Sequence, residues 1–149
     1  VYTEDEAFLI QEALSILERH VFQHGPTLES PDDVRHFLRL KLGPEDHEVF
    51  GVLFLDTLHR ILAFETLFHG TINTVSVHPR RIVQRAFAHN CSAIILVHNH
   101  PSGVITPSSA DRQSHMRIKQ LLAEMDIQLL DQFIVGQSDI YSFAEHGLL

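Results

Sequence analysis

The segment His98-Asn99-His100 ends an apolar run, Ile94-Ile95-Leu96-Val97, on two imidazoles one residue apart. Seven residues separate His100 from Ser108, and Asp111 follows three positions later. Imidazole nitrogens and carboxylate oxygens suit zinc, and a catalytic zinc site keeps one position open for water. Side chains repeat every two residues along a strand, so two histidines leaving a strand at this spacing can point the same way. Asp111, at the start of the next helix, would complete a site of two nitrogens and one oxygen. Hydrolysis also needs a base, and a carboxylate is the usual acceptor of the water proton. Glu48 is the acidic residue that opens an otherwise apolar strand. Ser108 could donate its hydroxyl to the oxyanion of a tetrahedral intermediate.

Each part also has a plainer reading. Ser108-x-x-Asp111 has the form of a helix capping box, a role expected to compete with metal ligation for the Asp111 carboxylate. A lone His-x-His is unremarkable among twelve histidines, and Glu48 alone reads as a solvated strand end. The combination is rarer: composition alone yields the spaced His, His, Ser, Asp pattern on the order of 0.004 times in such a chain.

Helices and strands must place these residues. Residues 5–22 carry apolar side chains at helical spacing, and Gly25-Pro26 breaks the run. In "SPDDVRHFLRLKLG", Ser30 is placed to cap, Pro31 suits the first turn, Asp32 and Asp33 suit the helix dipole, and Gly43 ends the helix. "EVFGVLFLD" and "RILAFETLFHG" read as a hairpin around Thr57-Leu58-His59, with "INTVSV" extending the sheet. A helix from Pro79, a fully buried strand over 91–99, a helix with Met116, Ile118, Leu121, Leu122 and Met125 as core candidates, and two closing strands complete the chain. Strands interleaved with helices predict an α/β (α+β) domain, a mixed sheet flanked by helices. Asp56 reads as a turn residue before a partner behind the metal site, Cys91 as a buried inert thiol, and His78 as structural before a substrate contact; His115, four residues after Asp111 on the same helix face, reads as exposed before an outer contact of the site.

Length and hydrophobic content fit one globular domain. The single cysteine excludes an internal disulfide, and the acidic start, "VYTEDEAFLI", does not resemble a signal peptide. A cytoplasmic location is expected. No apolar stretch approaches the roughly 18 residues of a membrane span. The net charge of −8 disfavours nucleic acid. The one candidate basic patch is His78, Arg80, Arg81 and Arg85, which reads first as a solvated helix face.

His98-x-His100, seven residues, Ser108-x-x-Asp111 and the upstream Glu48 resemble the JAMM (MPN+) metalloprotease signature in full. The strings "HNHPSG", "PSSAD", "VHPR" and "LLDQFIVG" are similar to those of the bacterial RadC family, over roughly residues 44–147. The resemblance implies a JAMM/MPN-like, cytidine-deaminase-like architecture over 44–149, with residues 1–43 as a helical extension like that of short prophage and genomic-island relatives. It implies one zinc ion held by His98, His100 and Asp111, with Glu48 as general acid/base and Ser108 at the oxyanion. Pro101, Ser102 and Gly103 would shape the turn. A peptide or protein substrate follows. The alternative is a DNA-repair-associated or mobile-element accessory protein that binds nucleic acid or protein without proteolysis. The family often has Asp-His where this chain has Asp131-Gln132.

Overall fold

Strands β1 (Val49–Leu55) and β3 (Ala93–Asn99) are buried at every position. Their uninterrupted apolar runs require cover on both faces of the sheet. The computed structural model of the chain describes residues 1–23, 31–71 and 75–149. The expected breaker Gly25-Pro26, the expected cap Ser30 and residues Ile72 to Thr74 lie outside the described residues. Val75 to Val77 do not join the sheet.

Helix α1 (Glu4–Glu18) starts at a Thr3 capping box with Glu6 and runs into a π-helical turn, Arg19–Gln23. Helix α2 (Pro31–Leu42) follows. Then come β1, β2 (Ile61–His69), α3 (Pro79–Ala88), β3, α4 (Ser109–Glu124), β4 (Gln128–Val135) and β5 (Ile140–Ser142). The sheet order is β2-β1-β3-β4-β5. Only β3 and β4 are parallel, joined by the α4 crossover. The result is the α+β domain with a mixed five-stranded sheet that the alternating pattern predicted.

The two faces carry separate cores. Val49, Leu53 and Leu55 of β1, with Ile95 and Val97 of β3, pack under Val34, Phe37, Leu38 and Leu42 of α2. Phe50, Val52 and Phe54, with Ile94 and Leu96, pack under Ile82 and Ala86 of α3 and Ile118 and Leu122 of α4. Odd and even residues of one strand thus serve different layers, as period-two geometry dictates. His98 follows Ile94 and Leu96 by that parity, so it emerges on the α4 face.

The hairpin turn is held by Asp56, whose Oδ1 accepts from the Leu58 and Arg60 amides, both at 2.9 Å. Its Oδ2 accepts from Arg60 Nε at 2.7 Å. Gly51 is needed for close packing: a Cβ there would lie 2.7 Å from the Phe64 ring and 3.1 Å from the Glu65 carbonyl. Phe64 stacks edge-on against Phe37, so the ring has little room to yield. Gly51→Ala should destabilise by about 1–3 kcal/mol, the range for overpacking a core, measured by denaturant midpoint. A midpoint equal to wild type would contradict this packing.

Two expectations fail on α4. Met116, Leu121 and Met125 are 44%, 37% and 46% exposed, whereas His115, Ile118 and Leu122 are buried. The buried stripe runs i, i+3, i+7 from His115. A reading that reserves the core for apolar residues leaves histidine out and so rotates the helix. His115, expected to be exposed, is 1% exposed. His78 sits at the N-cap of α3 without a side-chain cap bond and lies edge-on to Phe68. Cys91 is buried, and burial pushes its thiol pKa up, consistent with an inert thiol.

Candidate metal centre

β3 is the strand across which the sheet changes from antiparallel pairing with β1 to parallel pairing with β4, and the candidate ligands lie at its carboxyl end. His98 is the penultimate residue of β3, and His100 leaves the strand directly after it. The His100 amide donates to the Val135 carbonyl of β4 at 3.0 Å. The turn that follows closes with Gly103 N–H on the His100 carbonyl at 2.9 Å, and Gly103 takes φ +83°, which favours glycine. The loop then returns to α4, whose N-terminus carries Asp111 back to the two imidazoles.

His98 Nε2 and His100 Nε2 lie 3.1 Å apart. His98 Nε2 is 3.4 Å from Asp111 Oδ1, and His100 Nε2 is 3.2 Å from Asp111 Oδ2. Among the described residues, this is the group of three such side chains whose ligand atoms gather closely enough to hold a metal ion. Atoms bound tetrahedrally to one zinc at ~2.0–2.1 Å stand about 3.3 Å from each other. The donor types suit zinc, and one ligand atom from each of the three residues lies within 4.8 Å of the others.

The capping box is present as well. Ser108 Oγ accepts from the Asp111 amide at 3.0 Å, and Asp111 Oδ2 accepts from the Ser108 amide at 2.8 Å. Oδ2 serves the cap and also lies 3.2 Å from His100 Nε2, while Oδ1 faces His98 at 3.4 Å, so cap and imidazole contacts share one carboxylate with two oxygens and several lone pairs.

Glu48 immediately precedes β1. Phe50 pairs with His98 across β1 and β3. The same antiparallel register carried two residues further sets Glu48 across from His100. Its backbone is held on both sides: its amide donates to the Thr71 carbonyl at 2.7 Å, and its carbonyl accepts from Gly70 at 2.8 Å. Asn99, the residue between the two histidines, adds a clamp that sequence reasoning missed. Its Oδ1 accepts from the Val49 amide at 2.6 Å, and its Nδ2 donates to the His47 carbonyl at 2.9 Å. These are the peptide groups flanking Glu48. The available signal was a buried-strand position occupied by an amide rather than an apolar side chain.

Burial raises the Glu48 pKa, against the opposing pull of His98 and His100. Burial also acts to raise the Asp111 pKa, but hydrogen bonds from His100 and His98 outweigh it and hold the carboxyl far below the usual range. For His100, burial favours the neutral ring, yet Asp111 and the Val104 carbonyl together shift its pKa upward. Glu48, His98, His100, Ser108, Asp111 and Gln132 all line one cleft of about 990 Å³. Gln132 was not singled out by residue type. It contacts His98 from behind, with Nε2 3.2 Å from His98 Nδ1.

The mixed sheet thus brings two imidazoles and a carboxylate together at a crossover end, as a group that could hold a metal ion, with a buried glutamate in the same cleft. Residues 28–148 match the family model described as a RadC-like JAB domain. The chain belongs to that family. It is 49% identical over 147 residues to the UPF0758 protein YkfG of Escherichia coli K12, covering 99% of this chain and 93% of that one. It is 52% identical over 141 residues to a UPF0758 protein of Stutzerimonas stutzeri, covering 93% of this chain and 63% of the relative. A UPF0758 protein of Azotobacter vinelandii is 50% identical over 143 residues, with 94% and 64% covered. The chain thus spans just under two thirds of the length of the last two relatives. Among the described residues, no helix is long and apolar enough to cross a membrane.

Proposed function

We propose that this chain is a zinc-dependent peptidase or isopeptidase. The reading rests on the cluster of His98 Nε2, His100 Nε2 and the Asp111 carboxylate, the rings 3.1 Å apart and lying 3.4 Å from Oδ1 and 3.2 Å from Oδ2 respectively, in one cleft with Glu48. His98, His100 and Asp111 would hold the ion, which when bound polarises a carbonyl and lowers the pKa of water. Glu48 takes the proton from the attacking water and returns it to the departing amine. The raised Glu48 pKa suits both halves of that task. Ser108 Oγ accepts from the Asp111 amide through one lone pair, and its hydroxyl proton can donate to the developing oxyanion. A cleft of about 990 Å³ is at the upper end of the range for small-molecule sites and has room for a short peptide segment.

The nucleic-acid alternative receives less support. Arg85, one of its four candidate residues, is held by Glu65 through paired contacts of 2.7 and 2.8 Å. That leaves His78, Arg80 and Arg81 facing solvent on a chain of net charge −8.

Protein purified without added metal should carry about one zinc per chain and hydrolyse peptide or isopeptide-linked substrates. Chelation should abolish the activity, and zinc should restore it. Hydrolysis that persists in the chelated protein would remove the proposal.

A further inference from the structure

Helix α2 carries two arginines one turn apart, and their surroundings differ. Arg35 pairs with the Glu145 carboxylate and lies over the Phe133 ring at 5.6 Å. Arg39 has no such partner: the arginines in ion pairs among the described residues are Arg35, Arg60 and Arg85. Its Nη1 donates to the Ser138 carbonyl at 3.1 Å. A guanidinium presents five donors in a fixed fork, so one bond leaves most of it unused. The side chain is also half-buried. A cation drawn partly out of water without a counter-charge is a cost that an anionic ligand would offset.

Arg39 lines a second cleft, of about 610 Å³, together with His36, Ile10 and Leu40. No Asp or Glu lines it among the described residues. Glu6, one turn before Ile10 on α1, is engaged elsewhere and accepts from the Thr3 amide at 2.7 Å. The metal cleft has the opposite character. It is lined by the carboxylates of Glu45, Asp46, Glu48 and Asp111 and, among the described residues, by no Lys or Arg. The two clefts share Tyr2, Gly43, Pro44 and Gln137, so they adjoin. Gly43 keeps the sill between them low, because a Cβ there would collide with the Arg39 carbonyl. One groove thus runs from the candidate ligands over the sill to an unpaired guanidinium, and its charge changes sign on the way.

We propose that the cleft beside α2 is a carboxylate-binding subsite for the substrate, with Arg39 as the residue that holds the acidic group. The proposal rests on the peptidase reading above. A peptide drawn from the metal cleft across Gly43-Pro44 brings a carboxylate to a planar fork that matches its geometry. Laid the other way, the same carboxylate meets Glu45 and Asp46, which repel it. Attraction at one end and repulsion at the other set the direction of the peptide in the groove. The substrate class is a peptide with an acidic side chain, or its own terminal carboxylate, to one side of the scissile bond.

The test is binding of short fluorescent peptides to the protein, read by anisotropy. One Glu is walked along a chain of uncharged residues and compared with Gln at the same place. Amidated peptides isolate the side chain, and a Glu-free peptide with a free C-terminus isolates the terminal carboxylate. One placement of the carboxylate should tighten binding about tenfold, the worth of a hydrogen bond to a charged group. Arg39→Met should erase that difference and leave the affinity for Gln peptides unchanged. Arg39→Gln, which keeps a donor for Ser138 without the charge, should erase it as well, so loss of charge is separated from loss of the Ser138 contact. Where peptides are cleaved, the carboxylate should lower KM and leave kcat unchanged, because it binds away from the reacting atoms. A carboxylate that nowhere improves binding to wild type, or that improves it equally in the Met and Gln variants, overturns the subsite. Discrimination by Arg39 without cleavage of any peptide overturns the peptidase reading and leaves the acidic-peptide site standing.

Discussion

Glu48→Gln should lose about 10²–10⁴-fold in turnover while keeping its zinc, because general acid–base catalysis contributes on that order. The substitution keeps the shape of the side chain and leaves His98, His100 and Asp111 untouched. It removes only the group able to take and return a proton. Zinc content by metal analysis and turnover on the same preparation separate the two effects. A Gln variant that turns over at the wild-type rate would exclude Glu48 as the base. The metal-free variant should also be at least as stable as wild type at neutral pH. Burial raises the Glu48 pKa in the folded state, so the folded protein binds the proton more tightly than the unfolded chain. That contribution favours folding below the unfolded pKa and turns against it as pH rises through the folded value. At pH 7 the buried charge is therefore a cost that a neutral amide relieves. A lower thermal midpoint for the metal-free variant at pH 7 would show that Glu48 is better solvated than its 8% exposure implies.

Asp111→Asn should lower zinc affinity by more than ~100-fold and also lower the stability of the metal-free protein at neutral pH, because the contacts with His98 and His100 that depress the carboxyl pKa are lost with its charge. Loss of an outer partner costs about 10–100-fold, and Asp111 is a candidate ligand itself. The asparagine oxygen can still accept the Ser108 amide, so the cap largely survives. Asp111→Ala should lose the metal and about 1 kcal/mol more, because it also loses its half of the capping box. The pair of variants thus separates the two jobs that one carboxylate performs. Chelator competition and denaturant midpoints measure them independently. An Asn variant that binds zinc as tightly as wild type would remove Asp111 from the ligand set.

The contrast between His98 and His115 shows how far residue type carries. His98 was recognisable because its partner, His100, lies two positions away, and the parity of a strand is a local property. His115 reads as solvent-facing although it lies four residues after Asp111 on the same helix face, because nothing near it in the sequence shows what would bury it. Its partner is Gln132, brought alongside only when α4 folds back across β3 and β4. Asn99 is similar. It sits between the two histidines, yet its amide bridges His47 and Val49, some fifty residues earlier. The same limit explains the rotated face of α4. The helix was legible, but which stripe faces the sheet was set by burial of His115.

By itself, the sequence determined the strand and helix order, the buried character of β1 and β3, and the residue types that suit a metal. These follow from periodicity, capping chemistry and spacing, all of which operate over a few neighbours. The tertiary structure decided everything that depends on chains meeting: that Glu48 shares a cleft with the triangle, that Asp111 caps and faces the imidazoles at once, and that an amide and a buried histidine stand behind His98. Hydrogen bonds are short-ranged and directional, so they are specified only after the sheet register has placed distant residues within about 3 Å of each other.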